Sequence, residues 1–388
     1  MSGDTVRRPN LQATSEPAVL DSIDAVPTPA VVIEEAIVRR NIDRLAAYAA
    51  AHGLAVRPHT KTHKSVRIAG LQLAAGSPGI TVAKAGEAEA LLPAFDRFGT
   101  PDILVAYPAA DPARAERIAR LARIATIRVA VDTAAAVATV GAAAARAGTT
   151  VGILVDLDLG MGRTGVPDVD SLVALAQVVG GTAGLRLDGI FCYPGQIVAR
   201  PQEQAGPLAA AAALVAEAVD RFDRAGLCRG IVSGGSTPTA YQSHLMPALT
   251  EIRPGTNVFN DLNTLRGGFC DPSDCAATVL ATVVSDAVAG QVVLDAGSKA
   301  LTSDRCVAAP DSGHGHLLEY PDAVITALSE EHGRVDVRAC PTRPRVGERV
   351  HVVPNHICPC INLYDSVWWR TADGRVERLP VDARGRLS

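Results

Sequence analysis

The sequence predicts an α/β protein, a (β/α)8 TIM-type barrel over residues 26–266 followed by a mostly β domain over residues 267–388. Three observations carry this. Eight short β-prone runs alternate with helical stretches over about 200 residues, the span that such a barrel needs. After about Gly267 the helical repeats give way to alternating apolar runs such as "ATVLATVVSD", "GQVVLDAG" and "GRVDVRA", which read as strands. Hydrophobic residues make up 48% of the chain and aromatics only 4%. The core is therefore built from Ala, Val, Leu and Ile, as in packed strand–helix layers.

Taken in order, residues 1–25 are polar without sustained periodicity and read as a mobile arm. "TPAVVI" (28–33) reads as a strand that joins the second domain from before the barrel. The barrel strands are expected at "LAVR" (54–57), "GITVA" (79–83), "ILVAY" (103–107), "TIRVAVD" (126–132), "VGILVDLD" (151–158), "LDGIFCY" (187–193), "GIVSG" (230–234) and "TEIRP" (250–254). Between them "GEAEALLPAF", "DPARAERIARLARI", "DTAAAVATVGAAAARAG" and the Ala-rich run from Gln202 to Ala225 have helical character. An open, doubly wound sheet uses the same alternation and stands as the alternative.

A formal net charge of −4 offers no basic stripe for nucleic acid. No uninterrupted apolar run approaches the 18 or so residues of a membrane span, and the N-terminus lacks a signal-type apolar core. A soluble, cytoplasmic protein acting on small molecules is expected. The eight cysteines are scattered through a large chain, a pattern of buried thiols rather than a disulfide framework.

Lysine usage marks the chemistry. Of 37 basic residues only Lys61, Lys64, Lys84 and Lys299 are lysine, and two of them fall in "RPHTKTHK" (57–64), directly after the first barrel strand. An amine can lose its proton and attack a carbonyl, whereas a guanidinium stays charged. A barrel would bring Lys61, Lys84, Arg163, Tyr193, Ser233 to Thr237 and Arg253 to Thr256 to one face, since catalytic loops follow the strands. "SGGSTPT" (233–239) and "RPGTN" (253–257) follow the last two strands, where exposed N–H groups and hydroxyls can cradle a phosphate. "LGMGRTG" (159–165) sets one arginine among three glycines. In "PNHICPC" (354–360), His356 and Cys358 are two apart. On a strand both would share a face with Cys360 and could hold a soft or borderline divalent ion.

With "DILVAYP", "MGRTG", "YPGQI", "GGSTPT", "EIRPGT", "DAGSKALTSD", "LSEEHG" and "PNHICPCINL" in this order, the chain from about Thr28 onward resembles the fold-type III pyridoxal-phosphate family of D-serine dehydratase, D-threonine aldolase and D-threo-3-hydroxyaspartate dehydratase. The resemblance implies an alanine-racemase-like barrel with a C-terminal β domain, usually a homodimer with the active site near the subunit interface. It makes Lys61 the lysine that carries pyridoxal 5'-phosphate and Arg163 a contact to the phenolic oxygen of that cofactor. Tyr193 becomes a pocket wall, leaving a second proton to Tyr193 or to a water. Gly235, Ser236, Gly255 and Thr256 become the phosphate loops, and His356 and Cys358 the metal pair, with zinc favoured over manganese, cobalt or magnesium. The aldolase branch implies an acidic residue where Cys358 stands and a histidine where Ala199 stands. Both departures favour dehydration of a D-β-hydroxy amino acid to a 2-oxo acid and ammonia. Retro-aldol cleavage to glycine and an aldehyde is the alternative, and a racemase or a non-catalytic cofactor carrier are more distant ones.

Overall fold

A computed structural model describes residues 19–388. Two strands come first, β1 (Val19–Leu20) and β2 (Ala30–Glu34). The next eight are β3 (Ala55–Val56), β4 (Ile80–Val82), β5 (Asp102–Val105), β6 (Thr126–Val131), β7 (Val151–Leu157), β8 (Leu185–Cys192), β9 (Ile231–Gly234) and β10 (Glu251–Ile252). They coincide with the eight anticipated runs and form one parallel sheet in the order β3-β10-β9-β8-β7-β6-β5-β4. A parallel bridge between His59 and Thr81 joins the two ends, with Thr60 N–H donating to Thr81 O and Thr81 N–H to Pro58 O, both at 2.8 Å. The ring is thus closed. An open doubly wound sheet would leave those edges unpaired, so that alternative falls.

The helices outside the ring start where short polar side chains cap them. Asp111, Thr133 and Asp168 accept from the N–H groups of Arg114, Ala136 and Ser171. Gly148 ends the helix Ala134–Ala147 in a left-handed conformation at φ +65. Alanines on the helices, such as Ala115, Ala119, Ala136 and Ala144, pack against the outward-facing Ile103, Val129, Val131 and Ile153.

Inside the ring the period of two decides what the barrel holds. The lowest inward layer is ionic: Arg57 pairs with Glu251 at 2.9 Å and Asp102 at 2.6 Å, and Arg128 with Asp102 at 2.5 Å and Asp188 at 2.7 Å. Next along the strands lies an apolar layer of Leu104, Ala130, Leu154 and Phe191, with Phe191 three residues beyond Asp188 because the β7–β8 pairing shifts register there. Above it, at the strand C-termini, come His59, Lys61, Ala106, Tyr193, Gly235 and Arg253. The chemistry thus stands on a filled floor.

The second sheet uses β11 (Ala277–Ser285), β12 (Gln291–Leu294), β13 (His316–Leu317), β14 (Val324–Leu328), β15 (Gly333–Asp336), β16 (Arg349–Val353), β17 (Ser366–Arg370) and β18 (Val376–Pro380). β2, the "TPAVVI" strand, lies between β11 and β17, as the sequence suggested. The arm differs from expectation where it is described. Val19 and Leu20 pair with β18, and Ser22 caps a turn over Ile23–Ala25. Its first 18 residues lie outside the described residues. Among the described residues no helix is long and apolar enough to cross a membrane.

Candidate active site

A cavity of about 240 Å³ opens at the C-terminal end of the barrel, lined by Lys61, Arg163, Tyr193, Gly235, Ser236, Gly255, Thr256 and His356. Eight of the nine residues to which the resemblance assigns a role therefore share one wall. The ninth, Cys358, lies just behind it, with its Sγ 3.2 Å from Thr62 Oγ1 and 3.6 Å from Thr256 Oγ1. A similar gap of about 250 Å³ between helix Glu35–Ala51 and β3 is lined by Ile42, Leu45, Ala49 and Leu54. It holds no ionisable side chain and has the character of a packing defect.

The four lysines separate cleanly. Lys61 alone reaches the cavity. Lys64, three residues on, is buried and turns the other way, its Nζ 2.7 Å from Glu87 Oε1. Its carbonyl accepts from Ala383, which ties the C-terminal segment to the barrel. Lys84 does not join the face at which sequence reasoning placed it, because its Nζ sits 3.1 Å above the Tyr107 ring, a cation–π contact. Lys299 is exposed and paired with Glu330 and Glu331. Lys64→Met should strand the buried Glu87 carboxylate and cost about 3–5 kcal/mol of stability. A urea midpoint matching the parent would contradict that structural role.

Arg163 is held by its loop. Asp158 accepts from the N–H groups of Gly160, Met161 and Gly162, Asp132 from Gly165, and Asp156 from the Thr164 hydroxyl at 2.9 Å. Its guanidinium lies 4.8 Å from the Tyr193 ring centre. Three aspartates that sequence reading passed over thus set the arginine. Burial pushes the Asp156 carboxyl up to about 6, a rise that its Thr164 hydrogen bond and the charges of Arg253 and Arg163 only partly oppose. A raised carboxyl is protonated in the folded chain between about pH 4 and 6 when the unfolded chain has released its proton. The stability present below pH 4 is therefore lost as pH rises through 6, roughly 3 kcal/mol in all. Asp156→Asn should remove this slope, so that its stability relative to the parent improves from pH 5 to pH 7.5 in urea titrations. Parallel pH profiles would refute the assignment.

The loops after β9 and β10 are tied to one another. The Thr237 hydroxyl accepts from Gly255 N–H at 3.3 Å and Thr256 N–H at 3.1 Å, and Ser236 N–H donates to Thr239 Oγ1. A Cβ on Gly255 would come within 2.7 Å of His59 O, so only glycine lets the loop approach the first strand. Arg253 lies over the Phe191 ring at 3.7 Å and donates to Ser233 Oγ and Cys192 O. It lines the cavity as a braced cation. His59, unassigned in the sequence reading, lies two residues before Lys61 on the same wall. Burial first, then the charges of Lys61 and Arg253, hold it well below the usual imidazole range and keep it neutral.

The pair expected to hold a metal departs from its expected setting. His356 stands at the N-cap position and Cys358 is the second residue of the short helix Ile357–Ile361, so the pair meets across a helix start and not on a strand face. Cys360 does not share their side: it is buried, its Sγ 3.1 Å from Ala300 O. His356 Nδ1 is 2.9 Å from Asp304 Oδ2, which leaves the other ring nitrogen for Cys358. Burial opposes a charged imidazole here, but the hydrogen bond and charge of Cys358, with Asp261 and Asp304, raise His356 to about 9. Burial would likewise raise the Cys358 thiol, yet His356, Lys61 and Thr62 hold it below its usual range. An imidazole braced by a carboxylate, next to a thiolate, is a donor set that suits a zinc-like ion. Among the described residues no third His, Cys, Asp or Glu joins it, so water or substrate oxygens would complete the sphere.

The cavity wall also answers for the cofactor. Its charged or ionisable basic groups are His59, Lys61, Arg163, Arg253 and His356, and no carboxylate is among its lining residues. A dianionic phosphate with an aldehyde that meets an amine fits this chemistry. Residues 33–262 match the alanine racemase N-terminal domain and residues 276–369 the putative serine dehydratase domain. The chain is 32% identical to D-threonine aldolase from an Arthrobacter species, over 99% of both chains. The chain belongs to the fold-type III pyridoxal-phosphate enzymes. It is a pyridoxal-phosphate-dependent lyase within them. It is also 34% identical to D-threo-3-hydroxyaspartate dehydratase from Delftia, over 92% of this chain and 97% of that one. The solved structure of that dehydratase superposes with a TM-score of 0.85 at 32% identity, covering 93% of this chain and 99% of the other. Two solved variants of D-threo-3-hydroxyaspartate dehydratase, each with a TM-score of 0.85 and 31% identity, replace a histidine and a cysteine two positions apart with alanine. They cover 92% and 93% of this chain and 96% and 99% of their own, and the cysteine variant is described as metal-free.

Proposed function

We propose that this fold-type III enzyme eliminates the hydroxyl of a D-β-hydroxy amino acid, giving a 2-oxo acid and ammonia, with pyridoxal phosphate on Lys61 and a divalent metal on His356 and Cys358. The observation that carries this is the His356–Cys358 pair at the wall of the Lys61 cavity. The same His-x-Cys spacing is altered in the dehydratase variants, one of them metal-free, whereas the aldolase branch is expected to place a carboxylate where Cys358 stands.

Pyridoxal phosphate supplies an electron sink for negative charge at Cα. A metal on His356 and Cys358 would supply Lewis acidity toward the β-hydroxyl. Lys61 Nζ, in the cavity wall, would take the Cα proton. Arg163, on the loop braced by the three aspartates, and the loops of Gly235–Ser236 and Gly255–Thr256, which line the same cavity, would hold the cofactor's anionic groups. Tyr193, stacked against Arg163, closes the wall beside the substrate and can return a proton to Cβ. Asp304 holds the His356 ring in place. Loss of the hydroxyl and hydrolysis of the resulting enamine yields the 2-oxo acid.

Retro-aldol cleavage is the rival outcome, favoured by the near-equal identity to D-threonine aldolase. Incubation of the purified enzyme with D-threonine separates them: elimination gives 2-oxobutanoate and ammonia, cleavage gives glycine and acetaldehyde. Glycine as the sole amino-acid product would move the enzyme to the aldolase branch.

A further inference from the structure

Beyond the Lys61 cavity lies an outer chamber of about 370 Å³. Tyr193, Thr237, Pro238, Thr256 and His356 border both spaces. For a substrate whose β-hydroxyl faces His356, this second chamber is the neighbouring open space for the β-substituent. Resting on the lyase reading above, we propose that the chamber selects substrates whose β-carbon carries an apolar alkyl or aryl group and rejects those carrying a second carboxylate.

Charge makes the first argument. No lysine or arginine is among the lining residues of the chamber, and its one carboxylate, Asp261, is buried, accepting from the N–H groups of Thr264 and Ile357. His356 is engaged by Asp304 and Cys358. A β-carboxylate in the chamber would meet no lysine or arginine, and the one cation at its border, a metal on His356 and Cys358, would already be engaged by the β-hydroxyl. A charge taken from water without a partner is strongly disfavoured.

Shape makes the second argument. Val198, Pro238, Phe269, Val307 and Ala308 form an apolar wall. The wall is built: a Cβ on Gly267 would fall 2.3 Å from the Phe269 ring, so that glycine makes room for the aromatic. Asn263 Oδ1 accepts from Val307 N–H at 2.7 Å and pins the opposite side. An apolar cavity of about 150 Å³ already accommodates benzene, so a phenyl group fits with space to spare. Val198 and Val307 are 51% and 72% exposed, apolar surface that such a substituent would cover.

Binding and turnover test this separately. Cofactor-loaded enzyme is titrated with D-phenylalanine and D-aspartate, which lack the β-hydroxyl, by calorimetry and by cofactor absorbance. D-phenylalanine should bind at least about tenfold more tightly, the scale of a small apolar pocket's discrimination. Equal or tighter binding of D-aspartate, or no saturable binding of D-phenylalanine, would overturn the proposal. Val307→Arg, at an exposed position that folding tolerates, should tighten D-aspartate at least tenfold. An unchanged D-aspartate affinity would remove Val307 from the selective wall. Turnover is then measured with D-3-phenylserine and D-3-hydroxyaspartate. Selective D-phenylalanine binding without turnover of either hydroxy acid would sink the lyase reading and leave the chamber assignment standing. Turnover that favours D-3-hydroxyaspartate would sink the chamber assignment and leave the lyase.

Discussion

Lys61→Arg is expected to abolish covalent attachment of pyridoxal phosphate and to lower kcat by at least about 10²–10⁴-fold, the range of lost proton transfer alone. The substitution keeps the positive charge in a cavity already rich in basic groups, so electrostatics changes little. What it removes is an amine able to lose its proton. Borohydride reduction of the parent followed by peptide mapping should place the adduct on Lys61. An adduct on Lys64 would contradict the account outright, because that amine is buried against Glu87 and faces away from the cavity.

Cys358→Ala should strip the metal and lower turnover by about 10²–10³-fold, the several kcal/mol that a Lewis acid contributes to a leaving oxygen. The neighbouring thiol supplies the control. Cys360 lies two residues away but is buried against Ala300 O, and burial pushes its thiol up, so it stays neutral. Cys360→Ala should cost core packing while keeping metal content and kcat near the parent values. Elemental analysis with kinetics on both variants decides the matter. Equal losses from the two would mean that the segment acts through packing rather than ligation.

The barrel was legible because its strands are short, apolar and regularly punctuated, and each of the eight runs from "LAVR" to "TEIRP" is a strand. Phase along those strands was harder to read. Arg57, His59 and Lys61 point inward at every second position, yet only the lysine stood out, because its rarity is a compositional signal and a buried neutral histidine has none. Asp132, Asp156 and Asp158 were passed over for a similar reason. Asp132 and Asp158 follow strands, where aspartates are ordinary caps, and Asp156 lies near the end of β7's apolar run; only the fold shows them converging on the loop of Arg163. "PNHICPC" misled in its local conformation: apolar and β-branched neighbours suggested a strand, whereas the chain turns at Pro354 and begins a helix after His356. The two side chains still meet, since a helix start brings residues that close in sequence to one corner. Lys84 was misplaced because position after a strand does not fix direction, and the Tyr107 ring captures its ammonium.

The central claim is that a metal on His356 and Cys358 drives β-elimination in a cavity whose cofactor is carried by Lys61. The most direct test is to assay 2-oxo acid release from a D-β-hydroxy amino acid by the enzyme as purified, after chelation, and after zinc is restored. The account predicts that chelation suppresses 2-oxo acid release while the cofactor absorbance persists, and that zinc restores it. Undiminished 2-oxo acid release by metal-free enzyme would contradict it.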